Sequence, residues 1–432
     1  MDGTAVAAID ANVSGVLPPA LRRTDCSNGL TVLSEHVPGA RSVAFGAWIR
    51  AATLHEQADE MGVSHLLEHM VFKGTRTRSA RDIAFALETL GGSLDAYTER
   101  EHTSYQARVL DAHLEDAAAV IGDLIFEPVL REDDLALERK VILEEISMVE
   151  DTPDDIIFDV HNRAVWGDHP HGFAILGTRE TVQELDVSHL QALHARAYHP
   201  GRIVVAASGN VDHDALLATL DRTGWLARPC GDTTPFAVDP VESAAPHAEH
   251  VMRRDIGQTH VVLGGQGIRY GDPQRFAFAL VDMLVGGGMS SRLFQRVREE
   301  LGLAYSVHTF SSSYADTGSH GVYVASAPES AQQALDAVRD VLREVSAHGL
   351  PESDLVMGKR QLRGQLVLSM EGITSRMYRA ATTALYGEPF RSVDELMALV
   401  DAIDQDQVRD VAQSYFDPDR LILVSLGPKA VR

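Results

Sequence analysis

Two distant stretches of the chain share one pattern of hydrophobic and polar positions. Residues 185–209 and 403–427 each combine an amphipathic helical pattern, an aromatic-x-Pro-x-Arg turn and an apolar run that ends in glycine. The two stretches are offset by a constant 218 residues in a chain of 432 residues. This duplication predicts an α+β fold with two duplicated domains, each a mainly antiparallel sheet covered by helices.

A change of composition predicts where the two domains separate. The segment from Pro229 to His250 contains no leucine, whereas glycine, threonine and proline cluster in it. We therefore assign residues 22–228 to an N-terminal domain, 229–250 to a linker and 251–432 to a C-terminal domain. Residues 1–21 are mostly small, include prolines and lack a clear periodicity, so they are predicted to form a mobile extension.

The segment His65-Leu66-Leu67-Glu68-His69 places two imidazoles and a carboxylate on one face of a predicted short helix. At about 100° per residue, the two histidines lie roughly 40° apart around the axis, and the glutamate lies roughly 60° to the other side of His65. A catalytic zinc site uses three protein ligands and an open position, and a nearby carboxylate can act as a base. The pattern, an inverzincin motif, thus predicts two zinc ligands, His65 and His69, and the base Glu68, and it requires a third ligand.

A second predicted helix, residues 135–149, carries Glu138 and Glu145 on one stripe, seven residues apart. The stripe also holds apolar residues, so at least one of the two carboxylates is expected to point inward, where it needs a metal or a cation as partner. The residues alone leave an alternative open, in which these glutamates belong to a solvated acidic helix together with Glu144 and Glu150.

The charge balance limits the classes of partner. The chain has 38 basic and 62 acidic residues, a net charge of −24, which argues against nucleic acid and against anionic membrane surfaces. Basic peptides suit this charge, although an acidic surface is also common in proteins that need only solubility. Two cysteines exclude a disulfide framework. With no basic leader before an apolar run and no segment of transmembrane length, a cytoplasmic location without a membrane partner is expected.

Three features together resemble the pitrilysin family of zinc peptidases, and within it the bacterial relatives of the mitochondrial processing peptidase β subunit. They are the pentad His65–His69, the segment Met70-Val71-Phe72-Lys73-Gly74-Thr75 that follows it, and the later pair of glutamates. The resemblance implies one Zn²⁺ per chain, with Glu145 as the third ligand and Glu138 as a supporting carboxylate. Glu144 competes for the ligand role but lacks a partner glutamate at the seven-residue spacing.

The resemblance extends to two further segments. In the stretch 286–305, it implies that Arg298 and Tyr305, seven residues apart, come from the C-terminal half and bind substrate near the scissile carbonyl. Without the family, they would be an ordinary helix arginine and strand tyrosine. Asp95-Ala96 stands where the family has Asn-Ala at the strand edge that binds peptide. Since aspartate lacks the amide donor, a preference for more basic peptides is expected.

The implied function is that of a zinc-dependent metalloendopeptidase, which hydrolyses oligopeptides or presequence-like extended segments through a zinc-activated water. The resemblance also implies a homodimer that encloses a chamber, with a heterodimer containing an inactive homologue as the alternative. A rival hypothesis from another class is a non-catalytic structural or partner subunit of the same fold that has lost the zinc site. The catalytic positions of this chain all hold competent residues, which favours the peptidase.

Overall fold

The computed structural model describes residues 21–241 and 249–432. The predicted extension, residues 1–21, lies outside the described residues except for Leu21, and residues 242–248 of the predicted linker also lie outside them. The described chain forms two compact units. Unit 1 comprises the described residues up to Ile146 together with Ala174–Val238 and Ser369–Ser392, and unit 2 comprises Ser147–Phe173, the described part of Asp239–Leu368 and Val393–Arg432.

Unit 1 is built on a six-stranded sheet. Its strands are β1 (Leu21–Asp25), β2 (Thr31–His36), β3 (Ser42–Ile49), β4 (Ser93–Thr98), β5 (Thr103–Leu110) and β6 (Ile203–Gly209). The strand order is β1-β2-β6-β3-β5-β4, and every neighbouring pair is antiparallel except β2 with β6. Strand β4 therefore forms one edge of the sheet, and β1 forms the other.

Helices cover both faces of this sheet. They are α1 (Val63–Val71), α2 (Ala80–Glu88), α3 (Leu114–Phe126), α4 (Glu132–Asp151, which runs on into unit 2), α6 (Arg179–Glu184), α7 (Val187–Ala197), α8 (His213–Arg222) and α12 (Ile373–Leu385). Most of these helices pack with alternate strand residues into one large core. The other face buries Trp48 and Val204 beneath Met377 and Ala381 of α12.

Unit 2 contains a five-stranded sheet of strands β7 (Glu249–Arg253), β8 (Thr259–Gln266), β9 (Ala304–Ser313), β10 (Gly318–Ser326) and β11 (Ile422–Gly427). Its helices are α5 (Pro153–Trp166), α9 (Arg275–Gly286), α10 (Ala331–His348), α11 (Glu352–Ser369, whose last residue belongs to unit 1), α13 (Val393–Asp401) and α14 (Gln405–Tyr415), with a π-helical segment at Phe294–Glu300. The strand order is β7-β11-β8-β10-β9, and β7 with β11 is the parallel pair.

The predicted duplication is confirmed by this topology. Leaving out β1, the strands of both sheets pair in the same order, with one parallel pair at the corresponding position. The repeated sequences also occupy equivalent elements: Asp186 and Asp404 cap α7 and α14, and each helix leads through a Pro-x-Arg turn into a buried strand. The α+β prediction with mainly antiparallel sheets is therefore confirmed.

Each compact unit also includes a helical segment from the other half of the sequence. Helix α5 buries Ile157 and Trp166 in the core that β8 and β11 share, so residues 147–173 belong to unit 2. Helix α12 completes the second face of the sheet in unit 1, so residues 369–392 belong there. The domain boundaries at residues 228 and 251 divide the chain into two continuous segments, whereas each compact unit is assembled from several segments. Those boundaries therefore stay a prediction.

Within the described ranges, no helix is long and apolar enough to cross a membrane.

Candidate metal centre

Helix α1 begins at a backbone position that only glycine fits well. Gly62, the residue before the helix, has φ +90°, and a Cβ built there would lie 2.7 Å from the carbonyl oxygen of Leu176. Because glycine offers no side-chain cap, the fully buried carboxylate of Glu56 takes that role: it accepts hydrogen bonds from the backbone N–H groups of Gly62 (2.8 Å) and Ser64 (2.9 Å). The helix start is thereby fixed one turn before the first histidine.

Three metal-ligand side chains converge between α1 and α4. One atom each from His65, His69 and Glu145 lies within 4.8 Å of the other two, and no other group of this kind occurs among the described residues. The Nε2 atoms of the two histidines lie 3.8 Å and 3.7 Å from Oε2 of Glu145. Two of these residues lie one turn apart on α1, and the third lies on α4, as the sequence predicted for the two helices.

The donor set has the composition and spacing of a catalytic zinc site. Two imidazole nitrogens and one carboxylate oxygen are zinc ligands, and ligand atoms around a tetrahedral zinc lie roughly 3.4 Å apart. The observed 3.7–3.8 Å separations need only a small contraction to reach that value. Burial lowers the pKa of His65 to about 3, with a smaller contribution from the charge of His69, so the imidazole stays in the neutral form that binds metal.

A buried carboxylate orients His69 from behind. Glu138, whose residue is 4% exposed, accepts a hydrogen bond from Nδ1 of His69 at 3.0 Å and pairs through its other oxygen with Lys73 Nζ at 2.6 Å. With the proton on Nδ1, the lone pair on Nε2 is free to bind a metal between His65, His69 and Glu145. A metal-ligating histidine usually has such a hydrogen-bond acceptor at its other ring nitrogen. The ammonium group of Lys73 compensates the buried charge of Glu138.

Glu68 lies beside the donor set in a nearly buried position. Its Oε2 accepts a 2.6 Å hydrogen bond from the Thr98 hydroxyl, which fixes the carboxylate against β4. Burial raises the pKa of Glu68, and the Thr98 hydrogen bond and the charge of His69 oppose this shift, whereas Glu145 adds to it. A carboxylate with a raised pKa is a better proton acceptor, so this group suits general-base chemistry.

The predicted peptide-binding residues lie on edge strand β4. Strand alternation places Ala96 on the same face as Thr98, against the core that includes α1. Asp95 is exposed on the opposite face, the face on which the ring of Tyr97 stacks with that of Tyr378. The backbone of edge strand β4 is therefore available for pairing beside Glu68. The Asp95 side chain lies on the face of the sheet opposite to α1 and Glu68.

Arg298 and Tyr305 contact each other in unit 2. The guanidinium of Arg298 donates to the backbone oxygen of Tyr305 at 3.2 Å and lies 4.3 Å from the centre of its ring. Tyr305 is 78% exposed at the start of edge strand β9 and borders a cavity of about 400 Å³. Their action on a substrate held at the metal group stays a prediction.

The sequence analysis did not identify three residues that hold the candidate metal ligands and Glu68 in position. Glu56 caps α1 from outside the helix, Lys73 neutralises Glu138, and Thr98 holds Glu68. Lys73 follows His69 by four residues, and Thr98 follows Ala96 by two, so helical and strand periodicity carried a signal for both. No sequence pattern distinguishes Glu56 from its acidic neighbours.

The fold and the site define a two-unit α+β protein with one candidate metal centre in unit 1. A family model described as Insulinase (Peptidase family M16) matches residues 31–179, and a model described as Peptidase M16 inactive domain matches residues 184–362. The chain belongs to this family, the M16 or pitrilysin peptidases. The three candidate metal ligands fall within the first match.

Several bacterial proteins are similar to this chain over most of their length. A protein from Streptomyces coelicolor is 38% identical over 398 residues, covering 91% of this chain and 86% of its own length. One from Bacillus subtilis is 35% identical and covers 94% and 98%, and one from Mycobacterium tuberculosis is 38% identical and covers 93% and 92%. Each of the three is described as an uncharacterized zinc protease.

Solved structures share the fold. A Pseudomonas fluorescens structure described as a peptidase M16 inactive domain superposes with a TM-score of 0.87 at 22% identity, covering 95% of this chain and 98% of its own. A protease from Helicobacter pylori has a TM-score of 0.88 at 18% identity, with coverages of 94% and 99%. At these identities, the likeness supports the architecture alone.

Proposed function

We propose that this protein is a zinc-dependent metalloendopeptidase that hydrolyses oligopeptides or presequence-like extended segments. The observation that carries the proposal is the convergence of His65, His69 and Glu145 with the carboxylate of Glu68 beside them. The name zinc protease, carried by relatives at 35–38% identity, supports the same chemistry. The inactive-domain match covers residues 184–362 and leaves the metal-ligand residues outside it.

The proposed metal ligands are Nε2 of His65, Nε2 of His69 and a carboxylate oxygen of Glu145. A zinc ion held there would supply a Lewis acid that activates water and polarises the peptide carbonyl. Glu68 accepts the proton of the attacking water and delivers it to the leaving amine. Thr98 keeps the Glu68 carboxylate in place for both transfers through its 2.6 Å hydrogen bond.

Substrate is proposed to bind as an added strand along β4. The edge position leaves backbone groups of β4 without a strand partner on one side, and β-augmentation uses such groups whatever the side chains of the peptide. Extended peptides satisfy this requirement, and folded proteins do not. Arg298 and Tyr305 are proposed to contribute cationic and phenolic donors for the developing oxyanion.

The decisive experiment combines chelation with a single substitution. Wild-type protein and Glu68→Gln are each incubated with a mixed peptide library, with and without chelator, and the products are identified by mass spectrometry. Hydrolysis should require metal, and Glu68→Gln should lower kcat by at least about a hundredfold while zinc content stays near one equivalent. Hydrolysis that survives both treatments would contradict the proposal.

The rival is a non-catalytic partner subunit of the same fold. It predicts substoichiometric zinc after gentle purification and no cleavage of any library peptide. Metal analysis of the wild-type protein separates the two possibilities before any kinetic measurement.

A further inference from the structure

A second feature of unit 1 lies at the other end of β4 from Glu68. A cavity of about 490 Å³ opens where β4 begins, and Arg41, Ser42, Ser93 and Arg108 contribute to its lining. Gly91 and Gly92 line it as well, and their lack of side chains leaves the cavity open beside the strand edge. The lining therefore combines two arginines and two serines at the start of the edge strand.

The charge of this cavity contrasts with that of the whole chain. The chain carries a net charge of −24, yet two arginines line this cavity without a carboxylate among its lining residues. Among the described residues, no side-chain hydrogen bond or ion pair involves the guanidinium of Arg41 or of Arg108. An arginine that is not bonded to a carboxylate of its own chain is suited to bind an external carboxylate.

Two carboxylates lie near the arginine pair. Asp111 accepts a hydrogen bond from Asn210, which lowers its pKa, and the charge of Arg41 adds to this shift without an ion pair between the two side chains. Asp95 lies two residues after Ser93 on β4, diagonal to Arg108, and forms no ion pair within the described chain. Neither residue lines the cavity.

The position of the cavity on β4 relates it to the proposed reaction. Thr98, which holds Glu68, and Ser93, which lines the cavity, are five residues apart on one strand, a span of roughly 17 Å. Antiparallel pairing is slightly more stable per residue than parallel pairing. A peptide added antiparallel to β4, with its reacting carbonyl at Glu68, therefore runs toward the cavity in its own C-terminal direction.

We propose that this cavity is an anion-binding subsite for a peptide carboxylate located about five residues after the cleaved bond, recognised by Arg41 and Arg108. The inference rests on the proposed peptidase function and adds a substrate feature to it. The carboxylate comes either from the C-terminus of the peptide or from an acidic side chain at that position. Hydroxyl groups of Ser42 and Ser93 supply further hydrogen-bond donors.

Matched peptides distinguish the two sources of the carboxylate. One pair shares a core that ends five residues after the cleaved bond, with a free carboxylate in one member and a terminal amide in the other. A second, longer amidated pair carries Glu or Gln at the fifth residue after that bond. The kcat/KM of the anionic member relative to the neutral member should be roughly five- to tenfold in at least one pair and should fall at high salt.

The variant Arg41→Gln/Arg108→Gln should reduce this ratio to about one. Arg22→Gln/Arg23→Gln is the matched control, because it also removes two arginines, from β1 at the opposite edge of the same sheet, and it should leave the ratio as in the wild type. Equal rates within both pairs for the wild type, or an undiminished ratio in the double variant, would overturn the subsite. A ratio that depends on a carboxylate before the cleaved bond would overturn the antiparallel placement.

A binding measurement separates this inference from the proposed function. Fluorescence anisotropy with the same labelled peptides and the Glu68→Gln variant detects the carboxylate preference without turnover. If no peptide is hydrolysed but anionic peptides bind more tightly and lose that advantage in the triple variant with both arginine substitutions, the peptidase proposal fails and the subsite stands. If zinc-dependent hydrolysis occurs without any carboxylate preference, the subsite fails and the peptidase stands.

Discussion

At the scale of single residues, His69 is held from two sides with different consequences. Its Nε2 atom faces Glu145, while its Nδ1 atom is bonded to Glu138, which Lys73 neutralises. The two glutamates lie seven residues apart on α4 and have separate tasks, one as a proposed ligand and the other as a positioning residue. Because glutamine has nearly the same size and shape, Glu138→Gln would keep the packing at this buried position. It would remove the negative charge that strengthens the hydrogen bond from His69.

Substitution of Glu138 tests this division of roles. Glu138→Gln should weaken zinc affinity by roughly 10- to 100-fold, because the imidazole loses an anionic partner that fixes its orientation and raises its basicity. Competition with a chromogenic chelator measures the affinity. The control is Glu144→Gln, which alters an exposed glutamate on the same helix and should bind zinc like the wild type. An equal loss in both variants would contradict the positioning role of Glu138.

At the scale of elements, the start of α1 depends on a carboxylate that no local pattern identifies. Burial raises the pKa of Glu56 to about 7, and the hydrogen bonds from Gly62 and Ser64 oppose that shift. Since the folded protein binds this proton more tightly than the unfolded chain does, stability should fall as pH rises from about 4.5 to about 7 and should change no further above that range.

The variant Glu56→Gln removes this titration. The thermal midpoint of the wild type minus that of the variant should therefore decrease between pH 5 and pH 8, because a shift from 4.5 to about 7 corresponds to up to roughly 3 kcal/mol. Thermal unfolding across this pH range measures the difference. Glu88→Gln, at an exposed site on α2, should follow the wild type at every pH. Parallel curves for wild type and Glu56→Gln would show that Glu56 does not titrate in this range.

Helix and strand periodicity explain how much of the site the sequence predicts. The pentad and the seven-residue spacing of Glu138 and Glu145 are local signals, and the structure brings these side chains together on α1 and α4. The hydrogen bond from Thr98 to Glu68 and the cap from Glu56 join separate segments of the chain, so they depend on how the chain packs rather than on any local repeat. The same reason hides the cavity at Arg41 and Arg108, which lie on different segments.

At the scale of the whole molecule, each compact unit contains a helix from the other half of the sequence, which the repeat alone does not predict. The sequence repeat correctly indicates two related sheets, whose strands pair in the same order once β1 is left out. It does not indicate that α12, from the C-terminal half, covers the second face of the sheet in unit 1. The position of α12 depends on which apolar surfaces pack against each other in the folded chain. The periodicity of a single segment carries no information about its packing partner.

Helix α12 supplies polar as well as apolar contacts to unit 1. Arg376 pairs with Glu35, which is 4% exposed, and Arg50 donates to the carbonyl oxygens of Ala384 (2.8 Å) and Leu385 at the end of the helix. Removal of the helix would take away the cation that pairs with Glu35 and the carbonyl acceptors of Arg50. It would also expose the apolar surface around Trp48.

A fragment of residues 22–238 should therefore be unstable, although it contains His65, His69 and Glu145. It should bind a hydrophobic dye, scatter light and unfold without a cooperative transition, because the α12 face of its sheet is uncovered. In a matched longer fragment, residues 369–392 follow through a flexible linker. Because both fragments leave α5 without its unit 2 partners, only α12 differs between them, and the longer fragment should bind less dye, scatter less light, unfold more cooperatively and bind zinc. Dye fluorescence, light scattering and calorimetry compare the two. If the shorter fragment were as soluble and as cooperative as the longer one, α12 would not be an integral part of unit 1, and the sequence boundary at residue 228 would describe an independently folding domain after all.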